Sequence, residues 1–259
     1  MMYKPSSYWV DLSKKCSQMI ETHGYENFKR SVGLVYNDYY YDYEKRDVDK
    51  DYGEKVKNLW DSMYKCYPED FLDQFSEPIQ GNPLAIEYRG RLVSIDLAAS
   101  ICEYGLIVKY IPRDEIKVIH EIGGGYGRLA HLFHIIHPEI KYRFYDIEPS
   151  LSLAKRYLND VFPDNHIEFG LPEEMDGKCD LLIAMDCLHE MDKDCVENYF
   201  KYANENASYF YYTCWKETTV ADHGIRWKKE DYPVYPSWKQ LHNGQHRMRT
   251  QFFEAVYKI

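Results

Sequence analysis

The chain has 259 residues, 45% of them hydrophobic, which is enough for one α/β domain with an added segment and a packed core. Its formal net charge is −10, and no run of Lys or Arg breaks the acidic balance, so a nucleic-acid backbone is not the expected partner. The seven cysteines form no C-x-x-C pair, and several fall inside apolar runs, as reduced core thiols of a cytoplasmic protein do.

The opening residues, MMYKPSSYWV, carry no apolar leader, and no run approaches a membrane span. Residues 1–110 read as a mostly helical cap that binds substrate. Trp9, Leu12, Cys16, Met19 and Ile20 share one helical face, and Val56, Leu59, Trp60, Met63 and Tyr64 share another. Between them Tyr36 to Tyr52 is polar, acidic and aromatic without either period, and reads as a loop. The 26 tyrosines of the chain read as a general bias rather than a sugar platform. Gly81-Asn82-Pro83 signals a turn, followed by a hairpin-like piece from Leu84 to Val93 with Arg89-Gly90-Arg91 at its tip. Ser94 can cap a helix from about Ile95 to Tyr110 that Pro112 ends.

Residues 111–259 alternate strand and helix. Ile116–Glu121, Tyr142–Asp146, His166–Phe169, Asp180–Met185 and Ser208–Thr213 read as strands. Arg128–His137, Pro149–Val161 and Lys193 to about Asn204 read as helices, the last with Asp192 as its cap. This series predicts an α/β fold, a doubly wound, mostly parallel Rossmann-like sheet. Trp238–His242 and Met248–Ile259 flank Asn243-Gly244, a type I′ turn signal, so an antiparallel hairpin should close the sheet.

Glu121-Ile-Gly123-Gly124-Gly125-Tyr126-Gly127-Arg128 stands where the first parallel strand enters its helix. Glycines let the backbone reach unusual dihedrals and approach a ligand, and the helix behind them offers free N–H groups. Gly125-x-Gly127-x-x-Ala130 also fits a dinucleotide fingerprint, but that reading leaves Glu121 unused. The E-x-G-x-G-x-G reading uses it, places S-adenosyl-L-methionine at Gly123, Gly124, Gly125 and Gly127, and sets Asp146 and Ile147 at its ribose. Met185 and Asp186 should line its methionine side.

The loop after the fourth strand holds Asp186, His189 and Glu190. His189 or Glu190 is a candidate base for an acceptor hydroxyl, and His223, beyond the fifth strand, is another. Asn82, Arg89, Tyr126, Arg128 and Arg226 are candidate substrate contacts, with Arg91 and Lys228 as further cations for an anionic acceptor. His131, His134 and His137 recur every third residue without the spacing of helical metal ligands and read as a surface or groove face. Asp186 and Glu217 are carboxylates suited to Mg²⁺, but no paired Asp-Asp supports a metal, and none is assigned.

EIGGGYGR, FYDIEPSLSLAKRYL, CDLLIAMDCLHEM, a late Trp and the terminal FFEAVYKI together resemble the bacterial sugar O-methyltransferases of the class I S-adenosylmethionine-dependent superfamily. The resemblance covers about residues 80–259. It implies S-adenosyl-L-homocysteine as product and, as acceptor, a sugar or nucleotide-activated precursor of a capsule or other surface polysaccharide. Cys187 stands where that family commonly has a small polar residue, so a hydroxyl role there is not carried over. Two alternatives stay open: a phosphoramidate or other phosphate-bearing capsule precursor as acceptor, and a non-catalytic S-adenosylmethionine-binding partner subunit.

Overall fold

The computed structural model describes residues 3–31 and 48–259. Of the loop expected at Tyr36–Tyr52, the part up to residue 47 lies outside the described residues. Its last residues are helical instead, because the Asp49 carboxylate accepts from Tyr52 N at 2.8 Å and caps the helix that follows.

The first element, α1 (Ser7–His23), starts at Ser6. It buries Cys16 and packs Leu12, Met19 and Ile20 on the core, as the expected face requires. A short turn of helix, α2 (Phe28–Ser31), leads to α3 (Lys50–Cys66) and α4 (Glu69–Asp73). α3 is amphipathic and buries Tyr52, Val56, Trp60 and Met63. The hairpin β1 (Ala85–Tyr88) and β2 (Arg91–Ser94) turns at Arg89-Gly90, and α5 (Ile95–Tyr110) follows. Ser94 caps α5 by accepting from Leu97 N at 3.0 Å. The first ten residues of α5, Ile95 to Tyr104, are all buried, so α5 runs through the core rather than over it.

The chain then builds the sheet. Parallel strands β3 (Val118–Ile122), β4 (Lys141–Tyr145), β5 (Glu168–Gly170), β6 (Cys179–Met185) and β7 (Ala207–Trp215) are joined by α6 (Arg128–Ile136), α7 (Ser150–Val161) and α8 (Lys193–Asn206). A small hairpin, β8 (Glu217–Val220) with β9 (Ile225–Lys228), precedes the closing pair β10 (Lys239–Gln245) and β11 (Phe252–Lys258). The sheet order is β10-β11-β7-β6-β3-β4-β5, with β11 antiparallel to both its neighbours. This is the mostly parallel Rossmann-like sheet that the alternation predicted, closed by the antiparallel hairpin expected at the C-terminal end.

Side-chain alternation along the strands divides the core. Leu181 and Ile183 of β6 join the cluster under α3, α5, α6 and α7. Leu182 and Ala184 face the opposite cluster with α8, Trp227 and Trp238. The N-terminal helices therefore share one core with the sheet. Strand order reverses between the parallel strands β3 and β6, with the chain winding outward from β3 one way and from β6 the other, so the crevice at their carboxyl ends is where a ligand belongs.

Three local expectations are corrected. Asn243-Gly244 is not the hairpin turn: both lie within β10, opposite Ala255 and Glu254. The turn spans residues 246–251 instead, where His246 Nδ1 accepts from Met248 N and Arg249 N, each at 3.2 Å, and holds the loop from inside. Asp192 makes no side-chain cap bond to α8. His131 and His137 are buried rather than on a surface face. His137 is bonded by the Tyr104 hydroxyl and by Arg113, each at 2.9 Å. No group of three His, Cys, Asp or Glu among the described residues could hold a metal, and no described helix is long and apolar enough to cross a membrane. Six of the cysteines are buried and Cys66 is exposed; all are free thiols.

Candidate active site

The strand β3 ends at Ile122 and the chain turns at once. Gly123 has φ +63°, where a side chain would be strained, and a Cβ there would sit 2.7 Å from Cys187 Cβ. A Cβ on Gly124 would lie 2.3 Å from the Phe144 ring. The turn is thus wedged between β4 and the loop after β6, and only glycine fits. Cys187 also donates its thiol to the Ile122 carbonyl at 3.3 Å, so its role is to buttress the turn.

Asp146, just past β4, ties this turn to its neighbour. Its Oδ2 accepts from Gly125 N at 2.9 Å and its Oδ1 from Ile147 N at 2.7 Å. Burial pushes the carboxyl up to about 7, against those two bonds. A carboxylate has about four lone-pair sites, so two backbone donors leave room for ribose hydroxyls. Gly123, Gly124, Gly125, Asp146, Ile147, Met185 and Asp186 all line one cleft of about 1200 Å³, open mouth included.

Glu121 and Gly127 do not line that cleft. Alternation along β3 turns Glu121 to the opposite side from Ile122, under the glycine turn. It is fully buried, accepts from the Tyr142 hydroxyl at 2.8 Å with one oxygen, and leaves the other without a hydrogen bond. Desolvation raises its carboxyl to about 7. Glu121 therefore supports the turn from beneath. Gly127 is the left-handed cap of α6, packed on Leu158 and Ala154.

Across the cleft, β6 ends in Asp186, held at φ +55° by its N–H bonds to the Thr213 carbonyl (2.9 Å) and hydroxyl (3.1 Å). Its carboxylate receives Arg249 from the hairpin turn at 2.6 Å. A single turn of 3₁₀ helix, Leu188–Glu190, then separates two candidate bases. Glu190 lines the cleft with its carboxyl about one-fifth exposed. Burial, and after it the Asp186 charge, raises it to about 8. His189 is buried away from the cleft against Phe252 and Trp215. Its Nε2 lies 3.6 Å from Asp186 and 3.9 Å from Glu190, and desolvation lowers it to about 4. His189 stays neutral between the two carboxyls rather than facing a ligand.

The remaining sequence candidates are placed elsewhere. His223 accepts or donates to the Ser7 hydroxyl at 3.0 Å outside the cleft lining. Arg89 lies over the Tyr64 ring and pairs with Glu69, and Arg91 is engaged with Tyr64 and the Phe75 carbonyl. Asn82 donates to the Asn27 side chain at 2.8 Å. Arg226 and the Glu217–Lys228 pair, 3.9 Å apart, lie on the β8–β9 hairpin, exposed or only partly covered. Tyr126 is buried, donating to Asp96 at 2.9 Å. None of these lines the cleft. Arg89, Arg91, Asn82, Tyr126 and His223 satisfy their hydrogen-bonding or charge chemistry within the protein instead. Arg128 alone among the substrate candidates reaches the cleft, and Glu103 holds its guanidinium with both oxygens, at 2.5 and 2.8 Å.

What sequence reasoning missed is the cleft's other wall. Tyr3, Ser6, Tyr8 and Trp9 line it, with Tyr3 stacked on Tyr199 at 4.7 Å. Ser6 was legible as a cap before an apolar face. That the segment lies across the sheet's carboxyl edge, some 180 residues away in sequence, leaves no local trace.

No protein-family model and no curated protein matches the chain. Among solved structures it is similar to the PH0226 protein of Pyrococcus horikoshii OT3, at 12% identity over 61% of this chain and 88% of that one, TM-score 0.49. It is also similar to an S-adenosylmethionine-dependent methyltransferase from Clostridium acetobutylicum ATCC 824, at 14% identity over 64% of this chain and 92% of that one, TM-score 0.49. A third is the magnesium protoporphyrin IX methyltransferase of Synechocystis PCC 6803, solved with bound SAH, at 12% identity over 80% of this chain and 95% of that one, TM-score 0.48. Likeness at this level assigns neither an activity nor a substrate to this chain.

Proposed function

We propose that the protein transfers a methyl group from S-adenosyl-L-methionine to a hydroxyl of a small acceptor. One observation carries the reading: the glycine turn, Asp146 and Glu190 line the same cleft at the carboxyl edge of the sheet. The residues fit the donor. The turn brings bare backbone to the cleft, and Asp146 keeps acceptor capacity for a ribose. When bound, the donor supplies a methyl already activated on a sulfonium.

The chain's own residues then have two tasks. The turn and Asp146 orient the donor, and the opposite wall holds the acceptor in line, so alignment supplies much of the rate. Glu190 would take the hydroxyl proton as the acceptor oxygen attacks the methyl carbon, with S-adenosyl-L-homocysteine as the leaving group. A carboxyl raised to about 8 is matched to proton transfer near neutral pH. Glu190 is preferred over His189 and His223 because it alone of the three lines the cleft.

The sequence resemblance supports a sugar hydroxyl as acceptor, and Tyr3, Tyr8 and Trp9 offer rings on which a sugar can stack. A phosphate-bearing acceptor would find Lys4 in the lining but less support from the arginines. Arg89 and Arg226 are not in the cleft, and Arg128 is neutralised by Glu103. Asp186 is matched by Arg249 and Glu217 lies outside the cleft, so these two carboxylates do not converge on a Mg²⁺ ion.

Thermal denaturation with S-adenosylhomocysteine and, separately, with NAD(H) tests the donor. At a hundredfold excess over Kd the homocysteine product should stabilise by about 2.7 kcal/mol, with NAD(H) silent. Stabilisation by NAD(H) alone would overturn the reading. Mass analysis of a nucleotide-sugar panel incubated with the donor, read for a gain of one methylene, then identifies the acceptor.

A further inference from the structure

The segment before and within the first turn of α1 grips the loop that carries Glu190. The Ser6 hydroxyl is buried and does two things. It accepts from Trp9 N at 3.4 Å, capping α1, and it donates to the Glu190 carbonyl at 2.8 Å. One turn on, the Trp9 indole Nε1 donates to Glu190 Oε2 at 3.0 Å. So one residue of the catalytic loop is held at both its main chain and its carboxyl by two residues of one helix start. Tyr3 stacked on Tyr199, and Ser7 bonded to His223, fasten the same segment on either side.

The second carboxyl oxygen, Oε1, is the one nearer His189, 3.9 Å from its Nε2. The indole therefore occupies one oxygen and turns the carboxyl in the cleft to a defined direction. We infer that Trp9 is the positioning residue for Glu190, so that α1 is part of the proton-accepting machinery and not only a wall of the cleft; this rests on the methyl-transfer reading above. An N–H donor to a carboxylate favours its charged form. The other groups that act on this carboxyl are Asp186, Asp146, Arg249 and the His189 ring, with the Cys187 and Cys214 thiols nearby. Trp9 is the hydrogen-bond donor among them that α1 supplies.

The test needs no acceptor. Full-length protein is labelled at the glutamate side-chain carboxyl carbons and at indole nitrogen, and titrated by NMR, with Glu190→Gln identifying the Glu190 signal. In Trp9→Phe, which keeps an aromatic ring, the Glu190 midpoint should rise by about one pH unit, the worth of one hydrogen bond to a charged group. In the unmutated protein one indole N–H should titrate with the Glu190 midpoint and become flat in Glu190→Gln. That second measurement decides the matter even if Trp9→Phe fails to fold. A Glu190 midpoint unchanged in Trp9→Phe, or no indole that follows it, overturns the assignment. Binding of S-adenosylhomocysteine by the same samples separates the two claims. Its absence in the unmutated protein sinks the methyl-transfer reading, whereas an unmoved midpoint with the ligand still bound sinks Trp9 alone.

Discussion

At the scale of single residues, the site is a set of carboxyls kept apart by what surrounds them. Asp186 faces Arg249, Asp146 faces backbone N–H groups, Glu190 faces an indole, and Glu121 lies beneath the turn with a tyrosine. The same chemical group is thus given different work by its partners. Asp146 is the one whose loss should be felt by the donor. Asp146→Ala should weaken S-adenosylhomocysteine binding roughly 10- to 100-fold, the worth of a charge-assisted hydrogen bond, as measured by calorimetry. Glu190→Gln should leave that affinity near its original value and slow single-turnover methyl transfer by about 10²–10⁴ once an acceptor is in hand. An unchanged rate would remove Glu190 from the base role.

At the scale of elements, α5 and α6 are joined by charge inside the core. Arg128 and Glu103 are 2.5 Å apart with side chains 10% and 2% exposed. Burial alone would raise Glu103, but Arg128 and His246 outweigh it and hold the carboxyl at about 2. His246 belongs to the β10–β11 turn, its Nε2 3.8 Å from Glu103, and the same turn sends Arg249 to Asp186. The turn of the closing hairpin therefore meets two carboxylates, Glu103 behind Arg128 and Asp186 in the cleft. Removing Arg128 leaves the buried Glu103 carboxylate with only His246 beside it, so Arg128→Met should cost about 3–5 kcal/mol in urea denaturation. A loss under about 1 kcal/mol would show that the pair is solvated.

At the scale of the whole molecule, buried carboxyls and buried histidines are shifted in opposite directions, and the intervals over which they titrate set the pH dependence. Burial raises Asp96, Glu121, Asp146 and Glu254 to about 7 and Glu190 to about 8. A raised carboxyl favours the fold at pH below its unfolded range and loses that contribution as pH climbs through its folded value. His120, His131 and His189, lowered to about 4 by burial, act oppositely: their contribution is complete above about 6.5 and is lost as pH falls towards 4. Above about 6.5 the histidine contribution is complete and only the carboxyls still titrate, so the melting temperature should fall as pH rises from about 6.5 to 8. A melting temperature that climbs steadily over that interval in differential scanning calorimetry would contradict the burial of these acids.

The alternation of apolar strand and helix, and the glycine turn between β3 and α6, were written locally, because periodicity and turn chemistry act over a few neighbouring residues. From them the fold class, the Ser94 cap and the glycine turn that edges the cleft could be read. The hairpin turn could not: Asn243-Gly244 has the right chemistry, but the His246 imidazole and the Arg249–Asp186 pair placed the turn further on. Nor could the choice between His189 and Glu190, adjacent residues of suitable chemistry, since only packing on Phe252 turned the first inward and left the second in the cleft. The wall made by Tyr3, Ser6 and Trp9 belongs to the tertiary structure alone. Short-range preferences shaped each element, but which side chains met across the sheet edge was decided when distant segments buried their surfaces together.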